Sequence, residues 1–284
     1  MRIIREIAVL RGALEASRAT GARIGLVPTM GAFHEGHLSL MRRARIDTDV
    51  VVVSLFVNPT QFNDPADLEA YPRDEARDAA IAQSAGVDYV FAPNADEMYQ
   101  HDASTSVIVE GLSEPLEGES RGPGHLKGVA TVVSKLFNIV QPTVAYFGQK
   151  DAQQALVVRR MVRDLHFPIR IEVCPTVREP DGLAMSSRNV RLSPQARAQA
   201  LALRRGLDAA VSSIAGGERN AARVATRARA AMEALGVEAE YFAVVSLDTL
   251  APVRTLSGEI LLAVAARIGG VRLIDNELVG TPPA

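Results

Sequence analysis

Ile24-Gly25-Leu26-Val27-Pro28-Thr29-Met30-Gly31-Ala32-Phe33-His34-Glu35-Gly36-His37 is the stretch on which the reading of this chain turns. Ile24–Val27 is an almost unbroken apolar run, the pattern of a strand covered on both faces of a sheet. From His37 to Arg45, Leu38, Leu40 and Met41 recur at helical spacing, and Arg42, Arg43 and Arg45 take other positions. The residues between are therefore a strand-to-helix turn. In a parallel sheet such turns lie beyond the carboxyl ends of the strands, where ligands bind. A helix start also gathers unpaired backbone N–H groups and the positive end of the dipole, which favour a phosphate. His34 and His37 are three residues apart and share one face of that helix start. An imidazole N–H there can donate to phosphate oxygens as charge builds on an α-phosphorus. Gly36 has no Cβ, so a flat base or a ribose can approach its backbone.

The same alternation continues outward. Val50–Val57 is the strongest apolar run, and Tyr71–Ala85 reads as a helix followed by a strand at Asp88–Phe91. Gly128–Val140 reads as a helix, Thr143–Phe147 as a strand, Gln153–Leu165 as a helix and Ile169–Val173 as a strand. This β-α-β-α order predicts the α/β class, a doubly wound parallel sheet with helices on both faces. After about Val177 the character changes. Ser193–Ala215 and Asn220–Leu235 are Ala/Arg-rich helical stretches separated by Gly216-Gly217, followed by strand-like runs at Tyr241–Leu247, Glu259–Ala266 and Val271–Ile274. The expected domains are residues 1–177 and a smaller α+β unit over 178–284.

Three further segments carry chemistry. Phe147-Gly148-Gln149-Lys150-Asp151-Ala152-Gln153-Gln154 repeats the strand, glycine turn and helix, with Lys150 suited to phosphate charge and Asp151 to capping the helix. Leu183-Ala184-Met185-Ser186-Ser187-Arg188-Asn189 offers two hydroxyls and a guanidinium that can grip β- and γ-phosphates. Read alone, it is a turn and helix cap. Val57-Asn58-Pro59-Thr60-Gln61-Phe62 closes the strongest strand, and Asn58 and Gln61 are neutral groups suited to the hydroxyls and carboxylate of a small acid. Neither a Walker A loop nor G-x-G-x-x-G is present, which counts against γ-phosphoryl transfer and dinucleotide binding.

Bulk properties exclude several partners. With 33 acidic against 31 basic side chains the net charge is −2, and no Lys/Arg block marks a nucleic-acid surface. Val50–Val57 is far short of the roughly 20 residues that cross a bilayer. Arg2, Arg5, Glu6 and Arg11 interrupt the N-terminal apolar residues where a signal peptide would have its apolar centre. The chain is expected to be cytoplasmic, with no membrane partner. The single Cys174 allows no internal disulfide, and it reads as buried packing beside Val173. His101 and His166 read as solvent-exposed.

His-x-Gly-His is the signature of the nucleotidylyltransferase superfamily, and the Met185–Arg188 segment resembles that superfamily's mobile Lys-Met-Ser-Lys-Ser loop. In order along the chain, PTMGAFHEGH, FVNPTQF, YPRD, PGH with GV, SKLFN, QP, FGQKD with QQ, DGLAMSSRN and RLIDN resemble the pantothenate synthetase (pantoate–β-alanine ligase) family, from residue 28 to residue 276. The resemblance implies a Rossmann-like domain carrying the site, a C-terminal lid domain and a homodimer. It also implies the chemistry: pantoate and ATP give pantoyl adenylate and pyrophosphate, then β-alanine displaces AMP, with Mg2+ accompanying the ATP. It implies catalytic roles for His37, His34 and Lys150. It places ATP against Met30, Gly31, Ala32, Phe33, His34, Glu35, Gly36 and His37, against Gly148, Gln149, Lys150 and Asp151, and against the backbone of Val177. Met185, Ser186, Ser187 and Arg188 would close over the triphosphate. Pantoate would lie on Gln61 and Gln154, with Asn58 beside them and β-alanine near Gln61. No magnesium ligand is assigned. The family carries Arg directly before Pro-Gly-His, where this chain has Gly122 after Arg121, and Leu126 replaces its aromatic. Met98-Tyr99-Gln100 stands for Met-Tyr-Pro, and Arg121, His125 and Lys127 are left without a role.

Two other readings stay open on the sequence. One is a nucleotidylyltransferase that keeps the nucleotide on a phosphorylated acceptor, against which the neutral Asn58, Gln61 and Gln154 argue. The other is a non-catalytic nucleotide-binding relative, against which the intact His34, His37, Lys150 and Ser186–Arg188 argue.

Overall fold

A computed structural model describes residues 1–63, 65–122 and 124–281, so Pro123 of the Pro-Gly-His motif lies outside the described residues. The chain divides into two compact units, Met1–Gln149 with Gln153–Pro175, and Lys150–Ala152 with Thr176–Ala284.

The first unit begins β1 (Arg2–Ile4), α1 (Ile7–Ala19), β2 (Ile24–Thr29), α2 (Glu35–Asp47), β3 (Val50–Leu55), α3 (Pro65–Glu69), α4 (Glu75–Ser84) and β4 (Tyr89–Phe91). It continues through α5 (Ala95–Met98), α6 (Glu117–Arg121), α7 (Gly124–Val140), β5 (Val144–Gly148), α8 (Ala152–Asp164) and β6 (Arg170–Cys174). The strands form a parallel sheet in the order β1-β4-β3-β2-β5-β6. The continuous apolar runs have their cause here: Leu26, Val27, Val51, Val52 and Val53 are fully buried between layers. From β2 the chain winds outward through β3 and β4, then returns to the other side of β2 to form β5. The order reverses between β2 and β5, so their carboxyl ends flank the crevice where doubly wound sheets hold ligands.

Some elements differ from the sequence reading, and α7 begins at Gly124, four residues before the expected Gly128. The helix expected over Tyr71–Ala85 starts only at Glu75, because Pro72 disfavours helical backbone at Tyr71. Asp74 then caps the start, its Oδ1 accepting from the Arg77 N–H at 3.0 Å. β1 and α1 went unread because charges interrupt their apolar residues, although Leu10 and Leu14, one turn apart, are fully buried.

The second unit contains α9 (Pro194–Ala215), α10 (Ala221–Glu233) and strands β7 (Tyr241–Ser246), β8 (Gly258–Ile268) and β9 (Val271–Thr281) in an antiparallel sheet. Leu203, Leu207, Val224, Ala228 and Met232 of the helices share a core with Ile260, Leu262 and Val264 of β8. The α+β character is as expected, but β9 runs on to Thr281 instead of ending at Ile274. Its pairing with β8 extends from Ile268↔Val271 to Gly258↔Thr281. Asp275-Asn276-Glu277 hid the continuation. Asp275 is buried within the strand because the Arg178 guanidinium donates to its two oxygens at 2.6 and 3.0 Å. Among the described residues no helix is long and apolar enough to cross a membrane.

Candidate active site

The turn from β2 to α2 is shaped by a residue the sequence reading missed. Gly31 and Ala32 have φ of +92° and +53°. A Cβ on Gly31 would stand 2.7 Å from Leu55 Cδ1 and 2.9 Å from Asp78 Oδ2. Asp78, on α4 and 1% exposed, accepts from the N–H groups of Ala32 at 2.7 Å and Phe33 at 2.8 Å. The Met30–Phe33 backbone thus wraps a buried carboxylate. The ring of Phe33 is buried, so this residue has only its backbone to offer a ligand. Glu35 opens α2 and pairs with Arg42, placing negative charge at the positive end of the helix.

His34 caps α2, its Nδ1 accepting from the Gly36 N–H at 3.1 Å. His37 Nδ1 accepts in return from the His34 N–H at 3.3 Å, completing a capping box made of two imidazoles. A backbone N–H can only donate, so both Nδ1 atoms are acceptors and each neutral ring carries its proton on Nε2. The ring centroids are 4.2 Å apart. Each ring therefore carries its N–H on Nε2, at the positive end of the helix dipole.

Beyond β3, Pro59–Gln61 is a single 3-10 turn. Asn58 lies buried beneath it, and the expectation that Asn58 itself holds substrate gives way to a different arrangement. Its Nδ2 donates to Gly128 O at 3.2 Å and to Gln61 Oε1 at 2.9 Å. Its Oδ1 accepts from the Thr60 N–H, the Thr60 hydroxyl and the Tyr99 hydroxyl at 3.3, 3.0 and 2.9 Å. Both amide hydrogens and both lone pairs are engaged, which leaves nothing for a ligand. Burial holds the Tyr99 hydroxyl above the usual phenol range, so it stays a donor. Because Asn58 donates to Oε1, the partly exposed Gln61 has its Nε2 hydrogens as the free end of the amide.

β5 ends at Gly148, followed by the 3-10 turn Gln149–Asp151. Gln154 lies partly exposed in the first turn of α8, whereas its neighbour Gln153 is buried. Gln153 holds the preceding loop, accepting from the Glu117 N–H at 3.0 Å and donating to Leu112 O and Pro115 O at 2.8 and 2.7 Å. Arg121 donates from Nε to Glu117 at 2.7 Å, Lys127 gives its backbone carbonyl to Thr131, and His125 Nδ1 sits 2.9 Å from Gln61 O. His101 and His166 are exposed.

In the second unit, Lys150 Nζ lies 3.5 Å from Asp151 Oδ1, and its backbone carbonyl accepts from Asn276 Nδ2 at 2.9 Å. Val177 O accepts from the Met185 N–H at 3.0 Å, and Arg178 pairs with Ala184 across a β-bridge. Glu179 and Asp181 are both held by Arg197, and Asn189 donates to Glu179 and to Ala184 O. The segment that resembles a mobile loop follows directly on this short hairpin and runs into a 3-10 turn, Ser187–Arg191. Ser186 Oγ accepts from the Arg188 N–H at 3.3 Å and caps the turn Ser187–Arg191.

Cys174 is buried at the end of β6. Burial, then Glu172, push its thiol up to about 11, so it is no nucleophile. Among the described residues no group of three or more His, Cys, Asp or Glu could hold a metal ion.

The family model described as Pantoate-beta-alanine ligase matches residues 2–278. The pantothenate synthetase of Moorella thermoacetica is 55% identical over 97% of this chain and 98% of its own length. That of Thermotoga neapolitana is 52% identical over 99% and 100%. The crystal structure of pantothenate synthetase from Thermus thermophilus superposes with a TM-score of 0.92 at 47% identity, covering 98% of this chain and 99% of that one. The pantoate-beta-alanine ligase of Francisella tularensis, complexed with beta-gamma ATP and beta-alanine, gives 0.78 at 35% identity over the full length of both. With a family model and relatives of this identity spanning nearly its whole length, the chain belongs to the pantoate–β-alanine ligase family.

Proposed function

We propose that this chain condenses (R)-pantoate with β-alanine at the expense of ATP, through a pantoyl adenylate, releasing AMP and pyrophosphate. The observation that carries this reading is the histidine capping box beyond β2, whose two Nε2–H donors stand at a helix start. A pantoate carboxylate oxygen attacks the α-phosphorus and pyrophosphate leaves. Donors placed in advance stabilise the charge that builds there. The β-alanine amine then attacks the acyl carbon, loses a proton and expels AMP. No side chain becomes covalently attached. Keeping water from the mixed anhydride prevents its hydrolysis.

His37 and His34 act on the phosphates, Met30–Gly36 and Gly148–Asp151 line the nucleotide, and Lys150 neutralises phosphate charge. Val177 lines the nucleotide through its backbone, and Met185, Ser186, Ser187 and Arg188 grip the triphosphate. Gln61 and Gln154 hold pantoate with neutral amides, which suit a hydroxy acid better than a phosphorylated acceptor. Asn58 orients Gln61. Beta-alanine bound by the Francisella relative supports the second substrate. Magnesium, when bound, neutralises phosphate charge. The family resemblance supports a homodimer, and the domain assignment is residues 1–177 for nucleotide and pantoate and 178–284 as a lid. The test is product stoichiometry: one AMP and one pyrophosphate per pantothenate are expected. ADP and phosphate as products would contradict it.

A further inference from the structure

Gln61 sits on a turn too short to hold itself. Pro59–Gln61 is one 3-10 turn, and among the described residues no strand or long helix continues from it. Two supports are already described: Asn58 beneath it, and Gly128 of α7. A Cβ on Gly128 would fall 2.4 Å from Thr60 O and 2.9 Å from Gln61 N, so only glycine lets α7 come this close. The third contact is His125, whose Nδ1 is 2.9 Å from the Gln61 carbonyl oxygen. A carbonyl cannot donate, so His125 carries a proton on Nδ1, the atom that accepts in His34 and His37.

We infer that His125 is a positioning residue for the acid substrate: its Nδ1–H fixes the Gln61 backbone, as Asn58 fixes the Gln61 side chain. With both ends held, the Gln61 Nε2 hydrogens keep one direction, and the ordering is done before the acid arrives. The contact is to the Gln61 turn, so the expected effect falls on the acid substrate. The inference rests on the reading of Gln61 as a pantoate ligand.

The experiment is steady-state kinetics of the full chain with each substrate varied. His125→Leu is expected to raise KM for pantoate about fivefold or more, the effect of losing one hydrogen bond, with KM for ATP unchanged. His125→Asn puts an amide N–H near the Nδ1 position and is expected to recover pantoate KM to near the parent value. His125→Gln, whose amide reaches toward the Nε2 position, is not. If His125→Leu fails to fold, the Asn and Gln variants decide alone. Equal rescue by both, or a pantoate KM within twofold of the parent in His125→Leu, overturns the inference. If Gln61→Ala shifts pantoate KM in that same series, the functional reading stands without His125. If Gln61→Ala has no effect, both fall.

Discussion

Which nitrogen carries the proton decides what the histidine pair can do. In both His34 and His37 the backbone occupies Nδ1, so Nε2–H is the working end. A glutamine can imitate Nε2, whereas an asparagine imitates Nδ1. His37→Ala is therefore expected to lower the adenylation rate by about a hundredfold or more. His37→Gln should retain clearly more activity than His37→Asn. A loss below about tenfold for His37→Ala, or the reverse order of the two amides, would remove His37 from its role. Asp78 governs the same turn from outside it. Asp78→Asn would turn an amide NH2 toward one of two backbone N–H groups and cost about 2 kcal/mol. A lowered Tm and a raised KM for ATP are the expected readouts, with KM for pantoate little changed. Asp78 was not legible in the sequence. It lies 45 residues beyond Phe33, in a stretch that reads as an ordinary exposed helix, and only the sheet topology brings it under the turn.

At the scale of elements, legibility followed burial. Strands covered on both faces read directly because their apolar runs are continuous, as at Val50–Leu55. β9 was half read because an ion pair, Arg178 with Asp275, replaces apolar burial in its second half. The Ser186–Arg188 segment was legible as a motif, but its bracing was not, since Arg197 and Glu179 meet only through folding. The contact of α7 with the Pro59–Gln61 turn was hidden for a similar reason: a helical glycine reads as a weak helix former, not as a close approach. Gly128→Ala should raise helix propensity yet destabilise the protein, by about 1–3 kcal/mol of overpacking. Thermal unfolding with pantoate kinetics checks this, and a variant of raised Tm and unaltered pantoate KM would contradict it.

For the whole molecule, two buried acids on neighbouring strands each weaken the fold as the pH rises. Cys174 is raised from 9.0 to about 11, and Tyr146 is raised by burial and by Asp47. Both favour the protonated form when folded. The contribution of Cys174 is therefore complete below pH 9 and is lost as pH rises from 9 toward 11. Cys174→Ala should flatten the fall in Tm across that window, and an unaltered profile would contradict the assignment. The overall plan was the most legible feature. Alternation of strand and helix pointed to a doubly wound sheet, and the motifs in family order pointed to one family, which the family match then showed. The most direct measurement of that activity is exchange of labelled pyrophosphate into ATP without β-alanine. The account predicts exchange that requires pantoate, because adenylation is reversible and precedes the amine. Exchange that appears only with β-alanine, or its absence while ATP still binds, would contradict a free-standing acyl adenylate.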